Sequence, residues 1–281
     1  MKFARLGAIG AETPAIMDGR TYYSLAGLTP DLDPDFWSSD GPARAAAALA
    51  AGELPELDAV NLRIGAPITR PSSVFCIGLN YAGHAAESGS EPPLAPILFQ
   101  KAANTVSGPN DAVPIPIGST KTDWEVELGV VIGTRASYLD SPSDALSHIA
   151  GFVAVNDLSE RTFQLEASGG QWSKGKSCAG FCPTGPYLAT PDEVDAGDLR
   201  LRSWVNGEPR QDSTTQDLIF DVATIIHDLS QYLVLEPGDL ICTGTPEGVA
   251  LSGRFPYLKA GDVVEVEVAG LGRQRQEFVM T

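Results

Sequence analysis

From Val74 onward the chain is written in short β-rich runs, VFCIGL (74–79), PILFQ (96–100), WEVELGVVIG (124–133) and GFVAVND (151–157), with turn-forming residues between them. Branched and aromatic residues bounded by Gly, Pro, Asn and Ser read as strands. Asn206-Gly207 inside LRSWVNGEPRQDS marks a hairpin, and DVVEVEVAGLGRQRQEFVM near the end a further strand pair. Only SPSDALSHI (141–149) and DVATIIHDLSQYLVL (221–235) read as helices. The second has Asp221 as N-cap and Ile225, Ile226, Leu229, Tyr232 and Leu233 at helical spacing. Regular strand–helix alternation is missing, which disfavours a doubly wound parallel sheet and leaves an α+β fold that is mostly β.

The first 66 residues read as a small N-terminal α/β domain. A strand is expected at 2–8, a type I′ hairpin turn at Asp18-Gly19, and a helix from Pro42 to Ala51 with Gly52 as its stop. The proline-bearing segment GAPITRPSS (65–73) is the expected connection to a second domain, 67–281. A chain of 281 residues is long enough for both.

Charge narrows the list of partners. Nineteen Lys and Arg stand against 36 Asp and Glu, a net charge of −17. Nucleic acid and anionic membranes bind basic faces, so neither is expected as a partner. No apolar run approaches the roughly 18 residues of a membrane span, and the start, broken by Glu12 and Pro14, does not suit a secretory signal. The four cysteines, Cys76, Cys178, Cys182 and Cys242, contain no CxxC pair, and a reduced cytoplasmic protein is the expectation. Cys178 and Cys182 are read as buried free thiols.

Several residues carry candidate chemistry. GQWSKGKS (170–177) matches the phosphate-binding pattern GxxxxGK[ST]. That pattern works only between a hydrophobic strand and a continuing helix, and two glycines and two prolines follow Ser177 closely, so no nucleotide is expected. Glu125 and Glu127, two apart in WEVELGVVIG, share one face of a strand while Val126, Leu128 and Val130 take the other. Two such carboxylates, joined by Asp157 at the end of GFVAVND, would suit a hard cation. Glu265 and Glu267 in VVEVEV have the same spacing and fit a solvated strand face, so spacing alone leaves both readings open for the first pair. His84, with Glu87 three residues later, forms a helical pair that suits a general base and its orienting carboxylate, or equally a surface pair without a role. His148 and His227 are read as structural or exposed.

Taken in order, GLNYAGHAAE, PILFQK, DWEVELGVVIG, NDLSERTFQ, QWSKGKS, CPTGP, VNGEPRQ, PGDLICTGTPEGV and AGDVVEVEVAGLG resemble the fumarylacetoacetate hydrolase superfamily over about residues 70–275. The N-terminal unit and QLEASGGQWSKGKS are most similar to the subgroup that cleaves diketo-deoxy sugar acids such as 2,4-diketo-3-deoxy-L-rhamnonate or the fuconate analogue. The resemblance implies a mixed β-sandwich roll, a homodimer, and Mg²⁺ or Mn²⁺ held at Glu125, Glu127 and Asp157. It assigns His84 and Glu87 to water activation on a segment that closes over the substrate, and Lys176 to the active-site lysine. Tyr81, Lys101, Arg161, Gln164 and Thr245 fall at substrate-contact positions. The implied reaction is metal-dependent hydrolysis of a 2-oxo acid of acylpyruvate type to pyruvate and a second acid, with oxaloacetate decarboxylation or a related 2-oxo acid decarboxylation or isomerisation as the alternative. Two departures stand out: relatives carry a KSFDTF-like stretch where this chain has KSCAGF, with Cys178 and Gly180, and Ala250 replaces the last glycine of GVG.

Overall fold

The computed structural model describes residues 1–281. Its backbone is built on two mixed sheets. The larger runs, edge to edge, through Glu56–Leu57, Thr21–Ser24, Thr13–Asp18, Lys2–Leu6, Leu188–Ala189, Ile149–Asn156, Val126–Ile132, Leu240–Cys242, Val74–Gly78 and Ile97–Lys101, with Ile64–Gly65 also paired to Lys2–Leu6. The smaller runs through Glu208–Thr214, Arg200–Val205, Val263–Val268, Gly272–Met280 and Val113–Ile115. Pairing is mostly antiparallel, with parallel neighbours where Leu240–Cys242 meets Val74–Gly78 and where Gly272–Met280 meets Val113–Ile115. The α+β, mostly β architecture follows from these runs.

Strand parity explains the core. In Val126–Ile132 the even residues Val126, Leu128, Val130 and Ile132 pack with Leu201, Val205, Val264, Val266 and Val268 of the smaller sheet. On the opposite face Val131 joins Val153, Val155 and Leu240 in a second core completed by Phe3, Ile16, Phe36 and Trp37. Successive side chains of a strand alternate between faces, so a central strand with a layer on each side must be apolar on both, unless one end opens into a site. Here the odd face begins with Glu127. Residues 1–66 thus contribute edge strands to the larger sheet and seven of the 18 buried residues of a shared core.

Local expectations meet mixed outcomes. Asn206 and Gly207 both take positive φ, 53° and 81°, between paired Val205 and Glu208, as a type I′ turn requires. At the first hairpin Asp18 pairs with Thr21, so the two turn residues are Gly19 and Arg20, one place later than expected; only Gly19 has positive φ, the pattern of type II′. The alanine-rich helix forms at Gly41–Ala50. The helix expected over 221–235 closes at Val222–Ser230, with Asp221 accepting from Thr224 N. Beyond it Leu235 bonds in both directions with Ala136, and this tertiary pairing takes the backbone groups a longer helix would have used. Tyr232, read as part of the apolar stripe, is therefore exposed. The 141–149 segment divides into Pro142–Ala145, capped by Ser141 and Asp144, and a 3₁₀ turn Leu146–His148.

Candidate active site

The site is assembled at one end of the pair Val126–Ile132 and Ile149–Asn156. Register sets Val126 opposite Asn156, so the ladder's next step brings Glu125 beside Asp157, and Asp157 N donates to Glu125 O at 2.9 Å. Glu127, two residues into the strand, shares the face of Glu125. Oxygen atoms of Glu125, Glu127 and Asp157 all lie within 4.8 Å of one another, and all three residues are buried. Glu265 and Glu267, with identical spacing, lie on a partly solvated face and pair with Arg202 and Arg273. The two pairs differ in what the tertiary structure places in front of them.

Three cations enter the cluster. Lys176 Nζ donates to Glu125 Oε2 at 2.7 Å and to Asp157 Oδ2 at 2.8 Å. It ends the single helical turn Ser173–Lys176, which packs closely on the π-helical turn Thr162–Glu166. A Cβ at Gly175 would collide with the backbone of Glu160 and Gln164, so glycine allows that approach. Lys101 Nζ donates to Asp157 Oδ1 and to Leu158 O. Arg161 donates through Nε to Asp123 Oδ2 at 2.8 Å and through Nη1 to Gln164 Oε1 at 2.9 Å. Its Nη2 stands 2.8 Å from Asp123 and 2.7 Å from Glu125, out of line for hydrogen bonds.

These contacts divide the acids. Burial would push the Glu125 carboxyl up, but Lys176 and Arg161 together overcome it and hold it down to about 2. Glu127 has no basic partner and accepts only from Gly244 N, at 2.8 Å. Burial, reinforced by the charges of Asp157 and Glu125, pushes it well above the ordinary carboxylate range. Burial opposes the charge of Lys176, yet Asp157 and Glu125 outweigh it and raise the ammonium; Asp157 does the same for Lys101. Burial lowers His84, and Arg161 and Lys176 add to the effect against an opposing pull from Glu125, which leaves the ring neutral at pH 7.

Above the acids lies a cleft of about 180 Å³ lined by His84, Glu125, Glu127, Arg161, Gln164, Lys176 and Thr245, with apolar walls from Leu79, Phe99, Leu165, Trp172 and Leu251. It is smaller than the ≈ 300–1,000 Å³ of drug-sized ligand sites and suits a small molecule. Thr245 is fixed by donating to Val126 O and accepting from Gln211 Nε2. Tyr81 and Lys101, expected at the substrate, stand away from the cleft wall: the Tyr81 ring belongs to the core, and Lys101 lies behind Asp157. His84 and Glu87 share the helix Ala82–Ser88, but His84 Nδ1 is 3.6 Å from Glu87 Oε1 and makes no hydrogen bond. The Glu87 carboxylate instead accepts from Gly248 N and meets the Arg254 guanidinium. His148, whose Nδ1 lies 3.0 Å from Thr134 O, and His227 on its helix are both half-buried. Of the expected buried thiols Cys182 is buried, whereas Cys178 is half-buried because its loop lies at the surface beside Lys174.

Three contributors were not anticipated. Asp123 is fully buried and accepts from Ala250 N, Leu251 N and Arg161; the i, i+2 spacing of Glu125 and Glu127, carried one step back, points to it. Gln211 ties Thr245 and Pro246 to Val126 and Ser203, and Trp172 sets its ring edge-on to Phe99 at 5.5 Å. Neither has a local signal. The segment 170–177 has a helical turn before it and a single turn ending at Lys176, whose ammonium is bound to carboxylates, so the strand and helix of a phosphate cradle do not form there.

A mixed β roll with a buried acid triad beneath one small cleft, whose wall carries a neutral histidine and a charged lysine, describes an enzyme-type site. The family model described as fumarylacetoacetate (FAA) hydrolase C-terminal matches residues 73–279, and the chain belongs to that family and is a hydrolase. A relative named 2,4-didehydro-3-deoxy-L-rhamnonate hydrolase, from Sphingomonas sp. (strain SKA58), is 45% identical over 283 residues, covering 99% of this chain and 95% of its own. Among solved structures, fumarylacetoacetate hydrolase from Exiguobacterium antarcticum superposes with a TM-score of 0.87 at 32% identity, covering 100% of both chains. Maleylpyruvate hydrolase from Sphingobium sp. SYK-6, solved with manganese (II) and pyruvate, gives 0.81 at 25% identity, covering 100% of this chain and 99% of that one. No helix is long and apolar enough to cross a membrane.

Proposed function

We propose that the chain hydrolyses a 2,4-diketo acid of acylpyruvate type, a diketo-deoxy sugar acid such as 2,4-diketo-3-deoxy-L-rhamnonate or its fuconate analogue, to pyruvate and a second acid. The observation that carries this reading is the buried cluster of Glu125, Glu127 and Asp157 beneath one small cleft whose wall is formed by Glu125, Glu127, neutral His84 and charged Lys176. The sugar-acid relative and the pyruvate-bound neighbour support the same substrate class.

The donor set fits a divalent ion: three buried oxygen ligands, one of them, Glu127, without a basic partner. Mg²⁺ or Mn²⁺ held there would supply Lewis-acid charge for the 2-oxo acid head and for electron density released when the C3–C4 bond breaks. The chain's own residues do the rest. His84, neutral and open to the cleft, takes a proton from water as the oxygen attacks the C4 carbonyl. Lys176 faces the developing oxyanion with a charge that Asp157 and Glu125 maintain. Arg161, held by Asp123 and Gln164, presents a fixed wall, while Leu165, Trp172 and Leu251 exclude bulk water from the acyl side.

The test is pyruvate release from a panel of 2,4-diketo acids with Mg²⁺ or Mn²⁺ and with chelator. Release from an acylpyruvate supports the proposal. Release from oxaloacetate alone rejects it in favour of decarboxylation, which needs no activated water.

A further inference from the structure

The helix that carries His84, Ala82–Ser88, is two turns long and has no cap of its own: Tyr81 at its N-cap makes no side-chain bond to the helix. Helices this short are marginal by themselves, and the first N–H groups of any helix need acceptors. Asn80, just before it, spends its side chain elsewhere, donating to Phe220 O and Thr243 O and accepting from Phe220 N. The missing acceptor comes from 134 residues away, where Asp217 Oδ2 accepts from Gly83 N at 2.9 Å.

This contact is the last rung of a continuous track. Ile219 N donates to Asn80 O at 2.8 Å, Leu218 bridges to Tyr81, and Asp217 closes on Gly83, one residue before His84. The Glu247 carboxylate packs so tightly on the same point that a Cβ at Gly83 would collide with it. Two carboxylates at a helix N-terminus also suit the positive end of its dipole. Asp217 itself does not line the cleft.

We propose that Asp217 is a positioning residue for His84: as a cap supplied across the fold, it fixes the start of the helix and thereby the direction of the imidazole. This rests on the reading of His84 as the base. The metal ligands, Arg161 and Gln164 lie on other elements, and of the capped helix only His84 and Ser88, at its far end, reach the cleft, so most of the cleft lining is independent of the cap. Losing it misplaces the base and lowers kcat while KM holds.

The experiment compares Asp217→Ala with Asp217→Asn, whose amide oxygen keeps an equally good capping acceptor. Amide hydrogen exchange in the segment 83–86 becomes about five-fold faster in Asp217→Ala, the factor that corresponds to a cap of ~1 kcal/mol. With an acylpyruvate and Mg²⁺, kcat falls about ten-fold or more at a KM within about two-fold, since small displacements of a catalytic group are costly. Asp217→Asn restores both readouts. If Asp217→Ala does not fold, Asp217→Glu, which moves the carboxylate by one methylene, carries the same comparison. Unchanged exchange overturns the cap; faster exchange with unchanged kcat overturns the positioning role; and an Asn variant as impaired as the Ala variant assigns the effect to charge, which also overturns it. A wild-type enzyme that cleaves no acylpyruvate refutes the proposed function, and the exchange comparison still decides whether Asp217 holds the helix.

Discussion

The substitution Glu127→Gln isolates the metal site from the fold. Glu127 is 2% exposed, has no basic partner, and is driven by burial and by Asp157 and Glu125 far above its ordinary 4.5. Gln mimics the protonated acid and keeps an acceptor for Gly244 N, so without metal the variant matches wild-type stability to within about 1 kcal/mol. Divalent ion adds RT ln(1 + [L]/Kd), about 2.7 kcal/mol at a hundred times Kd. A chain of this size moves roughly 2–4 °C per kcal/mol, which gives a wild-type rise of about 5–10 °C. Thermal melts in EDTA and in saturating MgCl₂ or MnCl₂ read this directly; Glu127→Gln shows little or no rise. The pH dependence has a definite sign. The folded state holds the Glu127 proton more tightly than the unfolded chain, so this group's contribution to metal-free stability falls as pH rises from 4.5 through its raised value. Metal must displace that proton, so the metal-induced rise shrinks as pH falls. A wild-type protein that ignores both ions, or a Glu127→Gln variant with the full wild-type rise, would refute the assignment.

Three further outcomes follow from the same geometry. His84→Ala lowers kcat for hydrolysis by about 10²–10⁴, and the wild-type acid limb of kcat/KM lies below 6.5, because burial lowers the ring and only its neutral form accepts a proton; a limb above that value counts against the base. Lys176→Met removes the shared partner of Glu125 and Asp157 and costs up to about 3–5 kcal/mol in urea unfolding at neutral pH. Because Glu125 is held down to about 2, its stabilising contribution is present above 4.5 and lost as pH falls toward 2, so the deficit narrows in acid; a constant deficit contradicts the pairing. Gly175→Ala drives a methyl into the Glu160 and Gln164 backbone, destabilises by about 1–3 kcal/mol or more, and displaces Lys176, read as a fall in both melting temperature and kcat; wild-type values for both would show that the loop yields freely.

Local signals carried the strands well where the partner was the next run along the chain. The hairpin at Asn206-Gly207 follows from backbone preference alone, whereas the turn after Asp18 shifted by one residue because the register with Thr21 is set by the sheet. The 221–235 helix ended early because Leu235 had a better partner in Ala136 than in its own helix. Asp217 was invisible for the same reason: no local pattern announces a cap delivered over a span of 134 residues.

By itself the amino-acid order determined the mostly β class, the shared face of Glu125 and Glu127, and the family to which the chain belongs, since strand alternation and motif order are properties of the covalent chain. Only the folded structure decided that Glu125 and Glu127 face a buried cleft while Glu265 and Glu267 face Arg202 and Arg273. It also left Glu127 without a basic partner and turned Glu87 toward Gly248 and Arg254, out of hydrogen-bond reach of His84. Charge state and reach depend on what packs in front of a side chain, and that is set by elements far away in sequence.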